Sequence, residues 1–201
     1  MKQALHILRH PIYGVWDMKR EKTGRYWRGF ILILLTIAAV IFNRQMRAFV
    51  FNSYYNVPLN IIKESALVVI PVVLFSLANW AVTTLAEGKG SFKDIFLVTC
   101  HSLMPLIIFQ TVTPIISHFM TLNELVYLQM IDAVGYGWML LMLVLGIQEI
   151  HEYSMGKMIK TTILTIIGAA IIVFIALLFF GLLQELGSFI YSVYREFSLR
   201  I

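Results

Sequence analysis

Five long apolar stretches constrain the fold of this chain more than any other feature. They cover residues 27–42, 66–85, 95–119, 126–147 and 161–183, and polar segments separate them. A helix of about 20 residues crosses the hydrocarbon core of a bilayer. Only a helix or a closed barrel can satisfy the backbone N–H and C=O groups in that environment. The sequence therefore predicts an all-α polytopic membrane protein, a bundle of five transmembrane helices.

Composition agrees with this class. Of the 201 residues, 59% are hydrophobic and 13% are charged, and the mean hydropathy is +0.80. A soluble domain of this size cannot bury so many apolar side chains in one core. These values exclude a disordered chain, a collagen-like chain and an ordinary cytosolic enzyme. Cys100 is the single cysteine, so neither an intrachain disulfide nor a cysteine metal cluster can form.

The basic residues are distributed unevenly along the chain. Seven of the 16 Lys and Arg residues precede the core of the first apolar stretch, and the net charge is +5. Counted on alternate sides of the five stretches, 11 basic residues share the side of the N-terminus and 5 lie on the other side. Basic residues favour the cytoplasmic side, so we expect the N-terminus inside and the C-terminus outside. The excess of basic residues is therefore explained by the orientation of the chain in the membrane. For this reason we expect no nucleic acid partner.

The two ends of the chain are not predicted to span the membrane. Residues 1–26 form a basic leader with Leu5, Leu8, Ile12 and Trp16 on one side, which we expect to lie on the cytoplasmic face. Residues 184–201 place apolar side chains at helical spacing with polar residues between them. This pattern is typical of an amphipathic helix along an interface. A continuation of the fifth helix fits equally well.

Four polar side chains interrupt the apolar stretches at membrane depth: Asn79, His101, Gln110 and Asp132. An ionisable group there costs roughly 2.5 to 3.5 kcal/mol on insertion scales. Counting residues outward from each hairpin turn places Asn79 level with His101 and Gln110 level with Asp132. We therefore predict two interhelical hydrogen-bonded pairs. A proton or ion relay through Asp132 and His101 is the alternative, which their difference in depth disfavours.

A polar cluster follows the fourth apolar stretch. Glu149, His151 and Glu152 have the chemistry of metal ligands, but the paired histidines of an H-E-x-x-H motif are missing. We predict a solvated helix end on the cytoplasmic side and no metal site.

The loop after the second stretch contains Gly88, Gly90 and Ser91. No strand precedes it and no G-K-[ST] sequence ends it, so a phosphate-binding loop is not indicated. The pattern predicts a tight turn with Ser91 as the N-cap of the next helix. The chain also lacks a G-x-S-x-G motif, and we expect no catalytic residue and no cofactor.

Short motifs in the middle of the chain match a known family. They are Asn79-Trp80, Thr83-Thr84-Leu85, the run from Gly88 to Asp94, and Ser102-Leu103-Met104-Pro105. The pattern also includes the run from Tyr153 to Lys157, Thr161-Thr162 and, in the leader, His10-Pro11 followed by Asp17 to Lys22. On these residues the chain resembles the bacterial branch of the Yip domain family of integral membrane proteins.

The resemblance implies a five-helix bundle with a cytoplasmic N-terminus in a bacterial cell membrane. Eukaryotic relatives act in vesicle traffic, bind prenylated small GTPases and associate with one another. The leader here is short and basic and lacks their long hydrophilic N-terminal region, so we do not expect a small GTPase as a partner.

These observations favour a non-enzymatic membrane protein that organises or assists other membrane components through helix packing. Its expected partners are membrane lipids and other membrane proteins, including further copies of itself. The alternative is a transporter or transport-complex subunit with Asp132 in an ion or proton pathway. A membrane enzyme that uses Glu149, His151 and Glu152 is the third hypothesis.

Overall fold

The computed structural model describes residues 7–8, 11–20, 25–52 and 56–198. Within this part of the chain the fold is all-α, without β-strands. The α-helices are α1 Pro11–Arg20, α2 Tyr26–Met46, α3 Ile61–Leu85, α4 Phe92–Ser102, α5 Met104–Ser117, α6 Leu125–His151 and α7 Met155–Ser198. Short 3-10 helices, Phe49–Phe51 and Leu122–Glu124, precede α3 and α6.

Five segments are long and apolar enough to cross a membrane, which confirms the predicted architecture. They are α2, α3, the α4–α5 segment Phe92–Ser117, the segment Leu122–His151 and most of α7. Helix α2 has 21 residues, so it is about 31 Å long at 1.5 Å per residue. The predicted stretch 27–42 was too short because the helix continues through Asn43 and Arg44.

The third segment is divided into two helices just before Pro105. The α4 helix ends at Ser102, and α5 begins at Met104 with Pro105 in its first turn. The missing N–H of proline costs little at this position. Pro71 and Pro114, in contrast, lie inside α3 and α5.

Helix α4 is at the centre of the bundle. Every residue from Ile95 to Ser102 is buried. One face of α4 packs with α1 and α6 in a cluster that includes Val15, Val98 and Ile147. The other face packs with α2 and α3. The short α4 therefore connects two apolar clusters of the core.

The leader helix α1 packs against the core of the bundle. Val15 and Met18 of α1 are buried in the core, whereas Trp16 is 44% exposed and stacks under the Arg20 guanidinium at 4.6 Å. The predicted position of the leader on the cytoplasmic face stays a prediction. Leu5 and the basic residues Lys2, Arg9 and Lys22 lie outside the described residues, as does the side chain of Ile12.

Helix α7 continues in one piece through residue 198 and has 44 residues, a length of about 66 Å. Its N-terminal part packs on α3, where Thr165 is fully buried. Every residue from 173 to 196 is exposed. The segment after residue 183 is thus a continuation of the fifth helix, and its position relative to a membrane stays a prediction.

Candidate functional site

Two polar groups that are distant in sequence meet at one end of the bundle. The loop after α3 contacts the end of α6: the Gly90 N–H donates to His151 Nδ1 at 3.3 Å, and Lys89 Nζ donates to Glu152 at 2.5 Å. We call this group, completed by Gly88, Lys19 and Tyr153, the turn cluster. The sequence predicted the turn and the polar cluster separately, and the structure brings them together.

Gly88 and Gly90 are required by close approach of the backbone to His151. A Cβ at Gly88 would lie 2.5 Å from His151 Nδ1, closer than real Cβ atoms come. A Cβ at Gly90 would overlap the Ile150 side chain. Ser91, the next residue, is the N-cap of α4 in a capping box with Asp94, which satisfies backbone N–H groups at the start of that helix.

Lys19 attaches the leader helix to the same cluster. Its Nζ donates to the Ile150 carbonyl at 2.7 Å and to Glu152 at 3.2 Å. A cation at the last carbonyls of a helix is favourable. Hydrogen bonds from Lys89 and then from Lys19 lower the pKa of the Glu152 carboxyl. Glu152 therefore stays ionised and connects two lysines from separate segments.

Tyr153 closes the cluster from the side of α7. Its ring stacks on His151 with centroids 5.1 Å apart, and its hydroxyl donates to the Ala86 carbonyl at 3.1 Å. Burial, and to a lesser degree the nearby Glu87 carboxylate, raises the pKa of Tyr153. His151 is buried, and its Nε2 has no hydrogen-bond partner in the described part of the chain.

At membrane depth, the predicted pair between Asn79 and His101 does not form. Asn79 Nδ2 donates to Thr165 Oγ1 of α7 at 3.1 Å, and His101 Nδ1 bonds the Leu97 carbonyl of its own helix at 2.6 Å. The prediction was wrong because residue counting gives height along a helix and not the direction in which a side chain points. Asn79 faces α7, which packs against α3.

The predicted pair between Gln110 and Asp132 is also wrong. Gln110 Nε2 donates to the Tyr136 hydroxyl at 3.1 Å, while Asp132 forms an ion pair with Arg47, in the segment after α2. Gln110 and Asp132 nevertheless line one cavity. Sequence reasoning missed Arg47, which it had placed in a loop.

This cavity has a volume of about 260 Å³, and we call it the charged cavity. It also contains a second ion pair, between Arg44 of α2 and Glu64 of α3. A second cavity of about 530 Å³, the apolar cavity, adjoins it between α2, α3, α4, α5 and α6. The two share the lining residues Val40, Glu64, Leu67 and Tyr136.

A family model for the Yip1 domain matches residues 5–194. The chain belongs to the Yip1 domain family. The matched Yip1 domain contains all five candidate spans apart from the last turn of α7, the turn cluster and both cavities. No curated protein and no solved structure matches the chain significantly.

The Yip1 domain is here part of an integral membrane protein. Among the described residues, no group of three or more His, Cys, Asp and Glu side chains is placed to hold a metal ion.

Glu149 contributes its backbone carbonyl to the turn that ends α6, and its side chain joins none of the hydrogen bonds of the turn cluster. Residues that sequence reasoning did not assign to a site, Lys19, Lys89 and Tyr153, complete that cluster. All three lie in the family-like motifs, which were the available signal.

Proposed function

We propose that this Yip1 domain protein is a non-enzymatic organiser of other membrane components, which it binds through helix packing. One observation carries the proposal: the helix α7 is exposed at every residue from 173 to 196. Large apolar side chains such as Phe174 and Phe180 project from it. Helices in lipid associate through van der Waals packing of their side chains. The partner is a transmembrane helix of another membrane component or of a second copy.

Site-specific photo-crosslinking in native membranes tests this proposal. A photoreactive residue at position 180 of α7, which is 65% exposed, should give discrete protein adducts. The control is the same residue at position 70 of α3, which is 60% exposed and should give lipid adducts. Recovery of only the uncrosslinked chain and lipid adducts from position 180 would contradict the proposal.

We further propose that the protein lies in a bacterial cell membrane with its N-terminus in the cytoplasm and its C-terminus outside. The uneven distribution of basic residues over five spans supports this orientation. The turn cluster then lies on the cytoplasmic side, and the charged cavity lies near the opposite face. Topology reporters fused to the two termini should respond on opposite sides of the membrane. Reporters active on the same side would refute the orientation.

A transporter or transport-complex subunit is the second candidate function. The observation that favours it is that Asp132 lines a cavity at membrane depth, as carboxylates in ion pathways do. Its ion pair with Arg47 also fits a purely structural role. The flux of protons or ions into proteoliposomes separates the two functions. An Asp132→Asn variant with unchanged flux would exclude an ion or proton pathway through this carboxylate.

A further inference from the structure

The charged and apolar cavities are neighbours that share four lining residues and differ in chemistry. The apolar end is walled by side chains such as Val68, Phe75 and Met139. Its volume of about 530 Å³ lies in the range of small-molecule sites. Leu67 lines both cavities and is 60% exposed. The place where they meet is therefore at the surface of the bundle.

The charged end carries an excess of positive charge. Arg44, Arg47 and Lys63 line it together with Glu64 and Asp132, so the net charge is +1. The two carboxylates pair with the two arginines. Lys63 has no ion-pair partner among the described residues. An anion therefore matches this end of the site.

Two hydrogen-bond donors at the charged end lack an acceptor. Asn43 and Arg47 both line the cavity, and within the described chain neither Asn43 Nδ2 nor Arg47 Nε has a partner. Asn43 is only 8% exposed. Buried polar groups in proteins are nearly always hydrogen-bonded. Both atoms are covered by neighbouring protein atoms, so an acceptor in the cavity reaches them only when the lining side chains shift.

We propose that the two cavities bind one anionic membrane lipid. Its acidic headgroup occupies the charged cavity near Asn43, Arg47 and Lys63, and one acyl chain enters the apolar cavity past Leu67. A free phosphate would fill only the charged end and leave the apolar walls uncovered. The charged end lies at the end of α2 and the beginning of α3. Asn43, Arg47 and Lys63 are therefore next to the depth where lipid headgroups lie, whereas Asp132, the eighth residue of α6, reaches further into the membrane.

The test uses the full chain purified in detergent and native mass spectrometry with added phosphatidylglycerol or phosphatidylcholine of the same acyl chains. Leu67→Trp obstructs the junction of the two cavities. Ile70→Trp is the matched control, because Ile70 lies on the same helix with the same 60% exposure and lines neither cavity. We expect the wild type and the control to retain phosphatidylglycerol and the Leu67→Trp variant to lose most of it.

A second pair of variants tests the headgroup. Lys63→Gln should reduce the preference for phosphatidylglycerol over phosphatidylcholine about fivefold, the effect of one basic residue near an anionic lipid surface. Lys160→Gln removes an equal charge at the opposite end of the bundle and should leave the preference unchanged. Excess inorganic phosphate should not displace the bound lipid.

Three outcomes would overturn the proposal: equal retention by the two Trp variants, equal binding of the two lipids by the wild type, or displacement by phosphate alone. If Leu67→Trp does not fold, as judged by circular dichroism and gel filtration, it is replaced by Val40→Phe, at a residue of α2 that also lines both cavities. The same loss of lipid is expected from that variant, and lipid retention by a folded Val40→Phe protein would count equally against the site.

Discussion

Asp132 of α6 forms an ion pair with Arg47, which precedes it by 85 residues in the chain. The two side chains are only 22% and 23% exposed. A carboxylate at this depth is costly in a membrane, and the pair removes most of that cost by bringing the segment after α2 against α6. The pair therefore fixes the α2–α3 connection to the bundle.

Removing one member of this pair should destabilise the protein more than removing both. Asp132→Asn leaves the Arg47 charge without its carboxylate, and we expect a loss of about 1 to 3 kcal/mol in the free energy of unfolding. The double variant Arg47→Gln/Asp132→Asn should recover part of this loss. Thermal unfolding in detergent measures both. An Asp132→Asn protein as stable as the wild type would show that the pair has no structural role.

The glycines of the turn cluster should not tolerate alanine. Gly90→Ala places a methyl group against Ile150 and His151, and overpacking of this kind costs about 1 to 3 kcal/mol. Gly156→Ala is the control, because nothing lies within 4 Å of a Cβ at that position. Thermal unfolding and the yield of folded protein report the difference. Equal stability of the two variants would mean that the loop moves freely away from α6.

The hydrogen bond from Asn79 to Thr165 should stabilise the contact between α3 and α7. Thr165→Val keeps the shape of the side chain and removes the acceptor, so we expect a loss of about 0.6 to 2 kcal/mol. Thr84→Val is the comparison, since Thr84 is exposed and bonds only the Trp80 carbonyl of its own helix. Denaturant or thermal unfolding measures the loss in the free energy of unfolding for both variants. A loss for Thr165→Val no larger than that for Thr84→Val would argue against an interhelical bond.

Acid should weaken the turn cluster through Glu152. Hydrogen bonds from Lys89 and then from Lys19 lower the pKa of this carboxyl below its usual value in the folded protein. Its contribution to stability is therefore present above the unfolded value of about 4.3 and is lost as the pH falls through the folded pKa. Between about pH 5 and pH 3, the melting temperature of the wild type should therefore fall more than that of Glu152→Gln.

The Glu152 carboxyl is exposed, so the difference between the two proteins should be small and should shrink in high salt. Identical melting curves at every pH in low salt would show that the two lysines contribute nothing through this carboxylate.

The number and type of the long elements followed from the sequence alone. Long apolar stretches must form helices in a bilayer, so five spans and the all-α class needed no tertiary information. The start of α4 could also be predicted from neighbouring residues alone, because a serine N-cap bonds N–H groups within the first turn of its own helix. The length of α2 was underestimated, because the helix runs past its apolar part into Asn43 and Arg44.

The partners of the polar residues were decided only by the tertiary structure. Rise per residue places a side chain at a height, but the rotation of each helix and the order of neighbours decide what it meets. Asn79 thus bonds Thr165 of α7 instead of His101, and Asp132 pairs with Arg47 from a connecting segment. The meeting of Gly88 and Gly90 with His151 has the same origin, since it requires the end of α6 to return to the loop after α3.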